Sequence, residues 1–118
     1  MRTIQESHKL LSIIAEEFSI NYEIVRKTSE ILDWAGVQPE MYYEDGIECI
    51  SLEWKCPVGY LTINAHEDRI SVFKNINGVR ENKFDTTMTD AIDAYQSCHG
   101  TLFSYERHFE VEDIATTL

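Results

Sequence analysis

Apolar residues change their spacing near Pro39, and that switch restricts the chain to a helical opening followed by a sheet. Ahead of it, Ile4, Leu11, Ile14 and Phe18 recur at helical intervals, with Leu10 and Ile13 widening the stripe. Thr3-Ile4-Gln5-Glu6 is a capping box, in which a hydroxyl and a carboxylate satisfy opposite N–H groups of a first turn. It sets a helix over 3–18. Ser19-Ile20-Asn21 breaks the pattern, and Asn21 suits the cap of a second helix whose face carries Ile24, Val25, Thr28, Ile31, Leu32 and Ala35. Gly36 fits the left-handed position that ends such a helix, with Val37 packing back and Pro39 preventing resumption. The expected opening is an α-hairpin, with one long bent helix as the alternative.

Downstream the period is two. Ile50, Leu52 and Trp54 alternate, as do Leu61, Ile63 and Ala65, and Ile70 with Val72. Cys56-Pro57-Val58-Gly59, His66-Glu67-Asp68 and Asn77-Gly78 separate these runs. The last is a type I′ signal, since that turn needs positive φ at both central residues. Strands are expected at 47–55, 60–65, 69–76 and 79–84, and connections this short permit only antiparallel neighbours. Thr86-Thr87 caps a following helix that faces inward with Met88, Ala91, Ile92 and Tyr95 and stops at Gly100. Phe103, Tyr105, Phe109 and Val111 fall on odd positions with Arg107 interrupting, which suggests a fifth strand over 101–111 or two short ones bent at Arg107, with Val111, Ile114 and Leu118 in a last helical turn. The expectation is a single α+β domain over residues 1–118. It comprises an N-terminal α-hairpin, a four- to five-stranded antiparallel β-meander and one helix after the meander.

Charge narrows the partners. The chain carries 10 Lys+Arg against 21 Asp+Glu, a formal net charge of −11. Residues 1–27 balance, but no base lies between Lys27 and Lys55, where seven acids sit; residues 84–118 set seven acids against Arg107 alone. Such a field repels phosphate backbones and attracts basic protein surfaces. The expected partner is therefore a basic protein surface rather than nucleic acid, although Arg69, Lys74, Arg80 and Lys83 form a local basic centre. No apolar run approaches the ~20 residues of a membrane span. Met1 to Lys9 lacks a signal-peptide apolar region, and three cysteines without a C-x-x-C pair read as free thiols, so a cytoplasmic setting is expected.

Catalytic and metal chemistry find little footing. Cys98-His99 invites a thiol–imidazole reading, yet adjacent helical residues point about 100° apart. Cys49, Cys56, Cys98, His66, His99 and His108 lack the paired close spacing of zinc ligands. Glu16-Glu17, Glu44-Asp45, Glu67-Asp68 and Glu112-Asp113 are sequence neighbours rather than acids facing each other across a cleft. With only five glycines, no Gly-rich phosphate loop is present either. The chain is read as non-catalytic, with no cofactor and no metal.

The stretch Glu40-Met41-Tyr42-Tyr43-Glu44-Asp45-Gly46-Ile47-Glu48 stands out as a loop after Pro39 that joins four acids to two tyrosines and a methionine. Interface centres favour Tyr and Met while rim charges steer encounter. Glu40, Tyr42, Tyr43, Glu44, Asp45 and Glu48 are the candidate partner-binding residues. Asp90 and Asp93, an i,i+3 pair, extend the same negative surface, and so do Glu30 and Asp33. The competing reading has Tyr42 or Tyr43 closing the core while the acids confer solubility.

Ile50-Ser51-Leu52-Glu53-Trp54, with Tyr60-Leu61-Thr62-Ile63 and Asp68-Arg69-Ile70-Ser71-Val72-Phe73, resembles the meander of small uncharacterised bacterial and phage proteins with an I-x-L-E-W strand. Size and acidity also resemble phage anti-defence inhibitors and bacterial immunity proteins. That resemblance implies an inhibitor occupying the nucleic-acid-binding site of a nuclease, toxin or defence complex, and it transfers no functional residue. The rivals are a structural or regulatory subunit, possible as a homodimer through Ile24, Ile31 and Leu32 or an open sheet edge, and a small Cys/His-dependent enzyme or metal protein.

Overall fold

Thr3 accepts from the Glu6 N–H while the Glu6 carboxylate accepts from the Thr3 N–H, so the capping box opens α1 (Ile4–Phe18) as its sequence requires. In the computed structural model, which describes residues 2–98, α1 ends at Ser19 in a left-handed conformation, φ 49°. Asn21 then caps α2 (Tyr22–Trp34) by accepting from the Glu23 N–H at 2.8 Å. The α-hairpin is thus set by its caps. Its end departs from expectation: Ala35 terminates α2 in an extended conformation, ψ 110°, and the glycines with positive φ are Gly59 and Gly78, not Gly36. The next segment has no room to turn back because it is drawn into the core, with Ala35 and Val37 buried. Trp54 Nε1 donates to the Val37 carbonyl at 2.7 Å, and the Val37 N–H donates to the Tyr95 hydroxyl at 2.9 Å. These bonds satisfy backbone groups that a buried connection would otherwise leave stranded.

Five antiparallel strands follow in the order β1-β2-β3-β4-β5: β1 (Glu40–Glu44), β2 (Cys49–Cys56), β3 (Gly59–Ala65), β4 (Ile70–Ile76) and β5 (Val79–Thr86). The expected meander is present, and its fifth member is β1. Residues 40–44, expected as loop, form this edge strand, and Asp45–Ile47 make a short 3-10 turn, so β2 begins at Cys49 rather than 47. The expected strand at 101–111, the stop at Gly100 and the last helical turn lie outside the described residues. Asn77 and Gly78 take φ 54° and 81°, as the type I′ turn demands. Gly59 permits a close approach: a Cβ there would stand 1.7 Å from the Asn75 carbonyl oxygen.

Register sorts the side chains onto two faces. Met41, Leu52, Ile63 and Val72 lie in line on one face and join Ile50, Trp54, Leu61, Ala65 and Ile70 in the core. The hairpin contributes Leu11, Ile24, Ile31 and Leu32 to this cluster, and α3 (residues 88–98) contributes Ala91, Tyr95 and Cys98. All three helices therefore pack on one face of the sheet. The α1 stripe is only partly used, since Ile4 and Phe18 remain 40% and 48% exposed. On the other face Tyr42, Ser51, Asn64 and Ser71 form one cross-strand row, and Glu40, Glu53, Thr62 and Phe73 the next.

Candidate functional site

The meander places alternate turns at the same end of the sheet. At one end lie the β1–β2 turn and the β3–β4 turn; at the other lie Pro57-Val58 and Asn77-Gly78, joined by a bond from the Asn77 N–H to the Val58 carbonyl. Acids concentrate at the first end. Glu48 meets Glu67 and Asp68 across a surface cleft of about 210 Å³, bordered by Ile47, His66 and Arg69. Ile47 is 61% exposed, a large apolar side chain among carboxylates. Glu44 and Asp45 sit on the same turn. The cations here are engaged: Arg69 pairs with Asp68 at 3.2 Å and donates to the Phe84 carbonyl, and Lys27 donates to the carbonyls of His66 and Glu67 at 2.8 Å each. Lys55 and Arg80 share a cross-strand row at the opposite end, through Tyr60 and Asn75.

The sequence candidates fall into three groups. Glu40, Tyr42 and Glu44 project from the helix-free face of β1, an edge strand, and all are exposed. Glu40 lies directly opposite Glu53, an arrangement that costs stability unless relieved. The Tyr42 hydroxyl, which donates to Glu40, and Lys55, 3.2 Å from Glu53, provide that relief. The same bond to Glu40 raises the Tyr42 pKa. Tyr43 points the other way, half-buried, with its ring centroid 4.9 Å from that of Phe18; burial, then Asp45 and Glu48, raises its pKa. Asp45 and Glu48 belong to the acidic turn, Glu48 in a left-handed conformation with φ 46°.

Asp90 and Asp93 do not join them. They face β4 and β5 from α3, beside Val72, Lys74, Glu81 and Lys83. With β1 and β5 at opposite edges, four strand spacings or about 19 Å separate those edges. The Thr86 hydroxyl, and then Lys83, hold the Asp90 carboxyl below its usual range. Glu30 and Asp33 are likewise occupied, by Arg26 at 3.8 Å and His8 at 2.7 Å. Glu67 and Asp68 are the residues that sequence reasoning left out of the surface; it took them as a turn signal and as neighbouring acids that face no cleft.

The rival chemistries meet specific obstacles. Ile24, Ile31 and Leu32, offered as a dimerising face, are 2%, 0% and 0% exposed, because α2 lies directly on β2 and β3. Burial pushes the Cys49 and Cys98 thiols up, away from the thiolate that nucleophilic attack requires. Among the described residues no three His, Cys, Asp or Glu side chains gather as a metal group. His99 lies outside the described residues. The basic centre is divided: Lys74 and Lys83 face α3, Arg80 lies on the opposite sheet face, and Arg69 is at the acidic end. No described helix is long and apolar enough to cross a membrane. No family model, curated protein or solved structure matches the chain.

Proposed function

We propose that this protein is a non-catalytic binding module that docks its acidic strand end onto a basic surface of another protein. The observation that carries this reading is the cleft uniting Glu48, Glu67 and Asp68 beside the exposed Ile47. Carboxylates around an apolar side chain match what an Arg- or Lys-bearing surface needs, namely charge to guide approach and an apolar contact to slow departure. Glu44 and Asp45 extend the field, and Glu40, Tyr42 and Glu53 continue it along the β1 edge. On a partner that normally holds nucleic acid, these carboxylates take the place of phosphates, and the module acts as an inhibitor of the immunity or anti-defence kind.

The test is capture from the native host with two baits of equal charge. Neutralising Glu48→Gln, Glu67→Gln and Asp68→Asn together reduces recovery of the wild-type partner by roughly tenfold or more, since each charge-assisted contact is worth about 1.5–3 kcal/mol. Neutralising Glu6, Glu16 and Glu17 on α1 leaves recovery unchanged. Equal loss from both baits would reduce the effect to net charge and overturn the assigned surface.

A further inference from the structure

Strand β5 is an open edge of the sheet. Among the described residues no strand pairs with its outer side, and seven of its eight residues are exposed, Thr86 being half-buried. Val79 and Phe84 are 63% and 68% exposed. The ladder fixes where its free backbone groups point. The His66 N–H donates to the Arg69 carbonyl, so even-numbered residues of β3 bond to β4. Alternation carried through the register leaves the N–H and C=O of Arg80 and Asn82 directed off the sheet. Charge along β5 alternates in sign and cancels, with Arg80 and Lys83 against Glu81 and Asp85, in a chain of net charge −11. The other edge, β1, carries Glu40 and Glu44 without a base and so repels a copy of itself.

We propose that two copies of this chain join β5 to β5 antiparallel, about a twofold axis through Asn82, into one continuous sheet. On the axis the two Asn82 residues exchange N–H···O=C bonds. On the helix-bearing face Glu81 then lies opposite the partner's Lys83, twice over by symmetry, which extends the cross-strand pair of Lys74 with Glu81 at 3.0 Å. On the other face Arg80 lies opposite the partner's Phe84, whose exposed ring already meets Phe73 edge-on. Other centres along 80–85 fail. At Arg80, Glu81, Lys83 or Asp85 the axis sets that charge against its own copy. At Phe84 it falls on a carbonyl already bonded to Ser71 and Arg69. The third helix leaves the edge open, because Ala91, Tyr95 and Cys98 turn it toward the core. Edge pairing of this length buries less than the roughly 1,000 Å² of a stable interface, so the dimer is weak and forms at high concentration. Antiparallel pairing points the acidic ends of the two copies in opposite directions, and the inference holds whether or not that end docks a protein.

Sedimentation equilibrium of the full chain at about 0.15 M salt, where the net charge is screened, tests the pairing. The wild-type mass rises toward that of a dimer between about 10 µM and about 2 mM, and amide exchange of Asn82 slows over the same range. Glu81→Lys sets a lysine against the partner's Lys83, and Lys83→Glu sets a glutamate against the partner's Glu81. Each variant alone therefore associates about tenfold or more weakly. Mixing the two restores opposite charges at both positions and returns association to the wild-type level, which also shows that both variants fold. A wild-type mass constant up to about 2 mM would overturn the proposal. Slow exchange of Asn82 in that monomer would mean that the chain itself covers the edge, and fast exchange would leave the edge to a different protein. A dimer indifferent to both variants would place the contact elsewhere and overturn the proposal too.

Discussion

His66 is 5% exposed at the end of β3, and its ring is tied into a chain that fixes the neighbouring edge. Ser71 Oγ donates to the Phe84 carbonyl at 2.7 Å, so at 3.0 Å it accepts from His66 Nε2, which assigns the proton to that nitrogen. Ser71 sits where the β4–β5 register shifts between Ile70 and Val72, leaving Phe84 and Asp85 opposite it. Its hydroxyl and Arg69 thereby serve a carbonyl at the irregularity in the ladder. Burial first, then Arg69, lowers the His66 pKa from 6.5; Lys27 acts in the same direction and Asp68 opposes. A depressed histidine favours the folded state above its unfolded pKa, and this contribution is lost as pH falls from about 6.5 through the folded value. His66→Gln, which keeps an N–H donor without titrating, should flatten that loss. In urea unfolding across pH 7.5 to 5, wild type loses stability relative to the variant with a slope of at most about 1.4 kcal/mol per pH unit. Parallel profiles would mean that the ring titrates alike in both states.

At the scale of elements, the connection from α2 to β1 is buried, and two indoles near it differ in one respect. Trp54 on β2 donates to the Val37 carbonyl, whereas the buried Trp34 Nε1 on α2 has no acceptor among the described residues. Both rings pack on Tyr95 with centroids 5.3 Å away, which binds α3 to the hairpin and the sheet. Trp54→Phe strands a carbonyl and should cost about 2 kcal/mol, while Trp34→Phe removes an unsatisfied donor and should change stability by less than about 1 kcal/mol. Denaturant midpoints at constant slope give both numbers, and equal losses would refute the distinction. The sequence made the helices legible through their caps, and β2 to β4 through alternation and turn chemistry. It hid β1. Met41 and Tyr43 inward, with Glu40, Tyr42 and Glu44 outward, already alternate, but five residues after Pro39 that carry two acids and run into two more look like loop until β2 offers a partner. Gly36 misled for a related reason: the chain enters the core after Ala35, a tertiary demand that local cap signals do not encode.

For the molecule as a whole, the meander turns a linear charge pattern into a directional one. Glu44, Asp45 and Glu48 are far in sequence from Glu67 and Asp68, yet successive hairpins return them to one end. The β2–β3 register, with Ile50 opposite Ala65, brings Glu48 beside Glu67, while Glu44 and Asp45 reach the same end only because β1 pairs with β2, which the chain did not reveal. Asp90 and Asp93 illustrate the converse, since matching charge in the sequence ends up at the other edge, against lysines. If the gathered carboxylates steer docking, the association rate with the captured partner must respond to screening, whose length shrinks from about 30 Å at 0.01 M salt to about 8 Å at 0.15 M. The decisive measurement is that rate across this salt range for wild type and for the Glu48→Gln, Glu67→Gln, Asp68→Asn variant. Wild type should slow by about tenfold while the variant starts slower and changes little. A wild-type rate indifferent to salt would contradict the acidic end as the docking surface.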